Sequence, residues 1–188
     1  MGKVNFKPGN MLYPLPVIMA TVQDSTGKSN IITLAWAGTV NSDPAMISIS
    51  VRKERFSYNM LMESKEFCVN LTTKDLSFAT DLCGVKSGRD TDKWKEAKLT
   101  PVPCEVIKAP MIKESPVNIE CVVTDIKDLG SHTMFLGKVV AVHVDDKYMD
   151  ENGTFHFEDC DPIAYSHGKY YTLGENVGKF GYSVKKKK

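Results

Sequence analysis

Hydrophobic and polar residues alternate along much of this chain in short runs. Residues 45–51 place Ile, Ile and Val at every second position, with Ser and Met between them. A period of two is typical of a strand with one buried face. Further apolar runs predict strands over 16–22, 30–39, 67–71, 117–126, 132–144, 162–166 and 170–173.

Turn residues separate these runs and indicate how they connect. Polar residues over 23–28, the pair Asp43-Pro44 and the Gly-containing stretch 128–131 each predict a tight connection between successive strands. Many consecutive strands with little regular helix favour a mainly β protein, an antiparallel β-barrel with a few helices. The length leaves room for about seven strands of ordinary size.

Helical spacing is present in three places. Ser57 is a predicted N-cap for a helix that continues through Tyr58 and Leu61. Residues 74–82 have apolar side chains on one side and predict a second helix, with Gly84 as its C-terminal stop. Residues 92–97 predict a short third helix.

Size and composition are those of a globular domain. With 188 residues, 42% hydrophobic and 25% charged, we expect one domain over residues 1–184 and a disordered lysine tail over Lys185–Lys188. The formal charge of +1 becomes −3 without those four lysines. A mildly acidic body lacks the basic surface that nucleic-acid binding requires, so we expect no nucleic-acid partner.

Membrane, redox and metal features are weak. No apolar run is long enough for a membrane span, and prolines and a glycine interrupt residues 8–16 where a leader would be apolar. Five dispersed cysteines without a CxxC pair suggest reduced thiols in the cytoplasm. His156 and Cys160 have no second ligand pair, so we expect no metal site.

Three segments contain residues suited to binding. Residues 30–39 combine polar residues, a Trp and a Gly, although such residues also occur on a solvent face or in ordinary packing. Arg52, Arg55 and Ser57 precede a helix and could hold an anion, or could form a solvated loop whose charge Glu54 partly cancels. The segment 87–93 could close over a phosphate, or could be an ordinary loop with a helix cap at Asp90 or Asp92.

Sequence patterns of other catalytic classes are missing. The chain contains neither GxGxxG nor GxxxxGK[ST], so neither a dinucleotide-binding Rossmann motif nor a P-loop is supported. The four histidines have no neighbouring nucleophile motif; we assign His132 and His143 to strand faces, while His167 could reach a pocket rim.

Taken in order, several segments resemble the flavin reductase-like family with the FMN-binding split-barrel fold, particularly its flavoredoxin-like branch. The resemblance rests on residues 7–14, 30–39, 48–59, 83–90, 161–165 and 170–174, and so covers nearly the whole chain. It implies a homodimer that binds FMN non-covalently near the subunit interface. The implied cofactor-binding residues are Asn30, Thr33, Ala35, Trp36, Ala37, Gly38, Thr39, Ser50, Val51, Arg52, Arg55, Ser57, Ser87, Gly88, Arg89, Asp90 and Lys93.

The resemblance also implies how such a protein works. FMN supplies the chemistry, so no catalytic acid or base is needed. The leading expectation is an NAD(P)H-dependent flavin reductase in which nicotinamide stacks directly on FMN. One alternative is a flavoredoxin-type electron-transfer protein that takes electrons from a redox protein, without nicotinamide turnover. Another is a flavin- or haem-storing module on the same barrel.

Overall fold

The computed structural model describes residues 2–184 and consists mainly of β-strands. The strands are β1 (Leu15–Pro16), β2 (Ile18–Gln23), β3 (Ser29–Leu34), β4 (Ala37–Ser42), β5 (Ala45–Val51), β6 (Glu66–Leu71), β7 (Pro101–Val102), β8 (Met111–Ile112), β9 (Val117–Asp128), β10 (Thr133–Val144), β11 (Ile163–Ser166) and β12 (Lys169–Thr172). The α-helices are α1 (Ser57–Ser64), α2 (Ser77–Val85) and α3 (Lys93–Glu96). Short 3₁₀ helices cover Asp146–Tyr148, Phe157–Cys160 and Tyr182–Val184.

Seven antiparallel strands form the main sheet, in the order β3-β2-β6-β9-β10-β5-β4. β3 and β4 lie at opposite edges of that order, yet only Ala35 and Trp36 separate them in the chain. The sheet must therefore curl until its two edges meet, which closes a barrel. The backbone N–H of Ser50 donates to the carbonyl oxygen of Trp36 at 2.8 Å at this junction. The predicted antiparallel barrel is confirmed, but the predicted single run 30–39 is two strands.

The interior of the barrel is apolar. Ile18, Ala20 and Val22 of β2 pack there with Phe67 and Phe135, both of which are fully buried. The intervening Met19 faces the other way and packs under α2. β2 is therefore covered on both faces, which explains why its sequence is almost continuously apolar.

The helices differ from the sequence prediction at their ends. α1 begins at Ser57, and no side-chain cap precedes it; the Ser57 hydroxyl instead accepts a hydrogen bond from Asn30 Nδ2 at 2.7 Å. α2 begins at Ser77 and continues through Gly84 rather than stopping there. Gly84 has a packing role, because a Cβ at this position would lie 3.3 Å from Thr33 Cβ. For α3 the prediction is confirmed, with Asp92 as its N-cap.

Two smaller sheets complete the fold. β1, β11 and β12 form a three-stranded sheet, and β7 pairs with β8. No helix within residues 2–184 is long and apolar enough to cross a membrane. One domain over residues 1–184 stays a prediction, and the predicted tail Lys185–Lys188 lies outside the described residues.

Candidate functional site

Four segments that are distant in sequence meet around a cavity of about 260 Å³, which we call the anion cavity. They are β3, the start of α1, the loop after α2 and the start of α3. Its lining is rich in groups that donate hydrogen bonds to an anion: Asn30, Arg55, Ser57, Ser87, Arg89 and Lys93. Glu54 also lines this cavity, so the charge there is not uniformly positive.

Lys93 is the most deeply buried cation of this group, with 4% of its surface exposed. Its Nζ donates to the carbonyl oxygens of Ile31, at 2.7 Å, and Cys83, at 2.8 Å. Burial lowers the pKa of Lys93 to about 8, because the charged ammonium loses its hydration and Arg55 repels it. An ammonium group has three donors, so one N–H remains for a ligand in the cavity.

Arg55 and Arg89 border the same cavity and are held by backbone contacts. Arg55 Nη2 donates to the carbonyl oxygen of Gly84 at 2.6 Å, and partial burial together with Arg52 lowers its pKa. Arg89 donates to the carbonyl oxygen of Glu54 at 3.3 Å and lies over the ring of Phe56. These contacts fix the guanidinium groups before any ligand binds, which reduces the entropy lost on binding.

Gly88 is required by close packing at the cavity wall. A Cβ at this position would lie 2.7 Å from Phe56 Cδ1 and closer still to Asn30 Oδ1. The amide of Asn30 cannot turn away freely because its Nδ2 is bonded to Ser57. Only glycine allows the loop after α2 to approach β3 this closely.

A second cavity of about 300 Å³, the ring cavity, adjoins the anion cavity. The two share Ile32, Arg55 and Val85. The ring cavity is also lined by Val17, Thr33, Leu34, Ala35, Trp36, Ser50, Arg52, Asp81, Gly84, His132, Tyr165 and Tyr170. This apolar and aromatic lining, open to an anion site at one end, suits a flat ring that has an anionic side chain.

Trp36 and His132 form a stacked pair at the ring cavity. Their ring centroids are 6.0 Å apart and the rings are nearly parallel, at 8°. Burial lowers the pKa of His132, and the nearby Arg52 lowers it further. The imidazole is therefore neutral at pH 7, with Nδ1 2.9 Å from Ser131 Oγ.

A third cavity of about 530 Å³ lies beyond Trp36, and we call it the N-terminal cavity. It shares Ala35, Trp36 and Ser50 with the ring cavity. The other lining residues are Gly9, Asn10, Met11, Leu12, Tyr13, Leu15, Ala37, Gly38 and Ser48. The three cavities thus form one continuous series along the barrel edge.

Most of the cofactor-binding residues expected from the sequence line one or more of these three cavities. Asn30, Arg55, Ser57, Ser87, Gly88, Arg89 and Lys93 line the anion cavity; Thr33, Ala35, Trp36, Ser50, Arg52 and Arg55 line the ring cavity; and Ala37 and Gly38 line the N-terminal cavity. Asp90 lies in an adjoining cavity with Lys28 and Trp94.

Val51 and Thr39 do not line these three cavities. Val51 is 1% exposed and packs inside the barrel, because the alternation of β5 turns Ser50 toward the cavity and Val51 away from it. Thr39 is exposed on β4. The expected roles of these residues toward a cofactor stay predictions.

Among the polar and aromatic side chains of the ring cavity, the sequence prediction did not include Asp81, His132, Tyr165 and Tyr170. Tyr170 donates to Asp81 Oδ1 at 3.0 Å and so connects β12 to α2. Burial, followed by this contact, raises the pKa of Tyr170 to about 12. Tyr165 and Tyr170 lie in segments that resemble the family, but no local pattern brings Asp81 next to them. His167, expected near a pocket rim, packs against Tyr13, with the ring centroids 4.2 Å apart and the rings tilted by 40°, and does not line the ring cavity.

Metal-binding groups do not gather in the part of the chain described. Within residues 2–184 no three His, Cys, Asp or Glu side chains come close enough to hold an ion. The five cysteines are free thiols there.

Comparison with known proteins gives consistent results. The family model described as flavin reductase like domain matches residues 10–174. A protein of uncharacterised function from Pyrococcus abyssi is 31% identical over 70% of this chain and 74% of its own length. An NADH:riboflavin 5'-phosphate oxidoreductase from Streptomyces pristinaespiralis is 20% identical over 78% of this chain and 80% of its own.

Solved structures share the complete fold. Flavoredoxin of Desulfovibrio vulgaris (Miyazaki F) superposes with a TM-score of 0.90 at 29% identity, over 98% of this chain and 100% of the other. Flavoredoxin from Methanosarcina acetivorans gives 0.87 at 27% identity over the same shares. The expected split-barrel fold and the likeness to the flavoredoxin branch are confirmed.

Proposed function

The chain belongs to the flavin reductase-like family, and from this premise we propose that it binds FMN and acts as an NAD(P)H-dependent flavin reductase. Family membership supports a flavin-binding oxidoreductase. The choice of FMN rests chiefly on one observation, the meeting of six polar donor residues in a cavity that opens into an apolar ring cavity.

The anion cavity fits the phosphate of FMN in charge and in hydrogen-bonding groups. Arg55, Arg89 and Lys93 supply positive charge, while Ser57 and Asn30 supply neutral donors. Charged donors make the strongest hydrogen bonds to phosphate oxygens. The α1 N-terminus lies at the same cavity, and its dipole also favours an anion.

The ring cavity fits the flavin ring. Trp36 and Tyr165 offer aromatic surface, and Ile32 and Leu34 offer apolar surface. FMN, when bound, supplies the redox chemistry by taking up a hydride and passing electrons on. The protein's residues orient the ring, limit water on one side and place Arg52 and Arg55 nearby, where positive charge favours a reduced, anionic flavin.

Two observations bear on the electron donor. Similarity to an NADH:riboflavin 5'-phosphate oxidoreductase supports the nicotinamide-dependent function. Likeness to two flavoredoxins supports the second candidate, an electron-transfer flavoprotein without nicotinamide turnover. We place the reductase first because Arg52 lines the ring cavity and is exposed to solvent, so that a phosphate-bearing donor can reach it.

Anaerobic stopped-flow spectroscopy tests this proposal. FMN-loaded protein is mixed with NADH or NADPH, and flavin absorbance is followed near 450 nm. Saturable bleaching is the expected result. A protein that binds FMN but is bleached only by a reduced redox protein or dithionite belongs to the second candidate. A protein that takes up no FMN contradicts both.

The proposal includes a homodimer in the cytoplasm. Val40 on β4 and Val142 on β10 are half-exposed, and Leu173, Val177 and Phe180 after β12 are largely exposed. These exposed apolar side chains are available to a partner surface, which is the use of such residues that a homodimer requires. Free thiols are usual in a reducing compartment. Light scattering on a sizing column would give twice the 20.9 kDa chain mass.

A further inference from the structure

The N-terminal cavity differs from its neighbours in charge. Twelve residues line it, and none of them is Asp, Glu, Lys, Arg or His. Charged side chains line both of the other cavities, such as Arg52 and Asp81 in the ring cavity and Lys93 in the anion cavity. Removing a phosphate from water without a partner is costly, and this lining offers no charged partner for the phosphates of a dinucleotide. The N-terminal cavity suits an uncharged molecule.

Its position places an occupant next to a bound flavin. Ala35, Trp36 and Ser50 belong to both the ring cavity and the N-terminal cavity. Molecules in the two cavities would therefore be neighbours across these three residues. Trp36, which is 39% exposed, presents an aromatic surface on which a planar molecule can stack.

The polar groups of the cavity are donors suited to carbonyl oxygens. Asn10 and Tyr13 each offer an N–H or O–H among largely apolar walls formed by Met11, Leu12 and Leu15, while the Ser48 hydroxyl already donates to the carbonyl oxygen of Gly38 at 3.4 Å. A planar, uncharged molecule with carbonyl oxygens that accepts electrons from flavin is a quinone. We infer that the N-terminal cavity binds a neutral quinone of one or two rings, which is reduced to its hydroquinone. This inference rests on the proposed FMN site.

The reaction balances with the groups already named. The quinone would take up two electrons from the reduced flavin and two protons, one released as the flavin is oxidised and one from water. Each of the two protons converts one carbonyl oxygen of the quinone into a hydroxyl, and the flavin returns to its oxidised form. The two-electron reductant is thus the reduced flavin itself.

Binding can be measured apart from turnover. Oxidised FMN does not react with quinones, so equilibrium dialysis of FMN-loaded protein against menadione reports binding alone. Gly38→Leu fills the cavity, because a Cβ there has nothing within 4 Å. Gly174→Leu is the matched control: its Cβ is equally free, and Gly174 does not line the N-terminal cavity. We expect Gly38→Leu to weaken menadione binding by about tenfold or more, roughly the loss of 1.4 kcal/mol.

A change of charge gives an independent test. Leu12→Lys adds a cation to the uncharged wall and should favour a sulfonated naphthoquinone over menadione by about threefold to tenfold, with Phe6→Lys on the same exposed segment as control. Stopped-flow oxidation of photoreduced protein should then saturate with menadione, and the half-saturating concentration should follow the dialysis results.

Distinct outcomes separate this inference from the function it rests on. If Gly38→Leu and Leu12→Lys bind both quinones as the unmodified protein does, the quinone site is overturned while FMN binding stands. If menadione is displaced by excess FMN from the apoprotein with one shared affinity, the quinone occupies the ring cavity and the inference is wrong. If the protein takes up no FMN, the proposed function fails and quinone reduction fails with it.

Discussion

Lys93 Nζ lies 2.7 Å from the carbonyl oxygen of Ile31, so the buried ammonium of α3 is hydrogen-bonded to β3 of the barrel. Two carbonyl oxygens take two of its three donors, and because Lys93 also lines the anion cavity, the third donor is available to a ligand there. This arrangement costs hydration, which is why the pKa of Lys93 falls to about 8. The positive charge of Lys93 is thus held beside the cavity in which an anion would bind.

The lowered pKa predicts that FMN affinity depends on pH. Lys93 is charged below its pKa of about 8, so the attraction to phosphate is present at pH 7 and lost as the pH rises through 8. A bound phosphate raises the pKa of Lys93 somewhat, and the FMN phosphate is already largely ionised in this range. The dissociation constant should rise by up to about tenfold between pH 7 and pH 9.5, since one charged contact is lost.

Fluorescence titration of FMN at each pH measures this dependence. Lys93→Met should bind FMN more weakly at pH 7 and show little change up to pH 9.5. Lys95→Met, a change to an exposed lysine on the same helix, should behave as the unmodified protein does. Equal pH profiles for all three proteins would exclude a role for Lys93 in phosphate binding.

Arg55→Ala should weaken FMN binding by about 10- to 100-fold, because a charged hydrogen bond to phosphate contributes roughly 1.5–3 kcal/mol. Arg55 lines both the anion cavity and the ring cavity. Arg52→Ala is the matched control, since Arg52 lines only the ring cavity of these two and should affect affinity less. Isothermal titration with FMN and with riboflavin, which lacks the phosphate, checks the assignment. The Arg55 effect should disappear with riboflavin.

Local patterns predicted most of the barrel. The period of two over β5 gave its bounds correctly, because Ile49 and Val51 must face the interior while Ser50 faces out. The break after β3 could not be predicted, since residues 34–37 are apolar throughout and include no turn-forming residue. Closure of the barrel, a contact between distant strands, forces the chain to change edges there.

The candidate site was predictable where one segment holds several of its residues. Ser87, Gly88 and Arg89 are consecutive, so a short motif identifies them. Asp81 and Tyr170 are 89 positions apart, and only the packing of α2 against the small sheet brings them together. The predicted start of α1 and the predicted end of α2 were wrong for the same reason, because the residues that contact Ser57 and Gly84 come from β3 rather than from neighbouring positions.

Gly88→Ala should abolish measurable FMN binding with only a modest loss of stability. The added methyl overlaps Phe56 and Asn30, and the loop after α2 must move outward, which opens the anion cavity. Gly174→Ala, whose Cβ would meet nothing within 4 Å, is the control and should bind FMN normally. Circular dichroism shows whether each variant is folded. If folded Gly88→Ala binds FMN with unchanged affinity, the close approach of this loop is unimportant for the cofactor.

The environment of Glu120, which lies outside the three cavities, predicts that the folded protein loses stability in acid. This fully buried carboxylate accepts hydrogen bonds from the backbone N–H groups of Glu105, at 2.7 Å, Val106, at 2.8 Å, and Ile107, at 3.0 Å, and lies 2.6 Å from His143 Nε2. Burial alone would raise its pKa, but these contacts outweigh burial and lower it. A carboxyl whose pKa is lowered on folding stabilises the folded protein at pH values above its unfolded pKa, here 4.5. This stabilisation is lost as the pH falls below 4.5 toward the lower pKa of the folded state.

Glu120→Gln should therefore lower the free energy of unfolding by about 2–4 kcal/mol at pH 7, and by less at pH 4, since an amide oxygen replaces a charged acceptor of several bonds. Urea unfolding at both pH values measures the difference. Glu66→Gln is the matched control, because Glu66 accepts one backbone N–H, that of Lys108, and should cost under about 1 kcal/mol. FMN affinity should be unchanged in both variants. A Glu120→Gln protein as stable as the Glu66 variant would show that the loop over 105–107 is held by its apolar contacts instead.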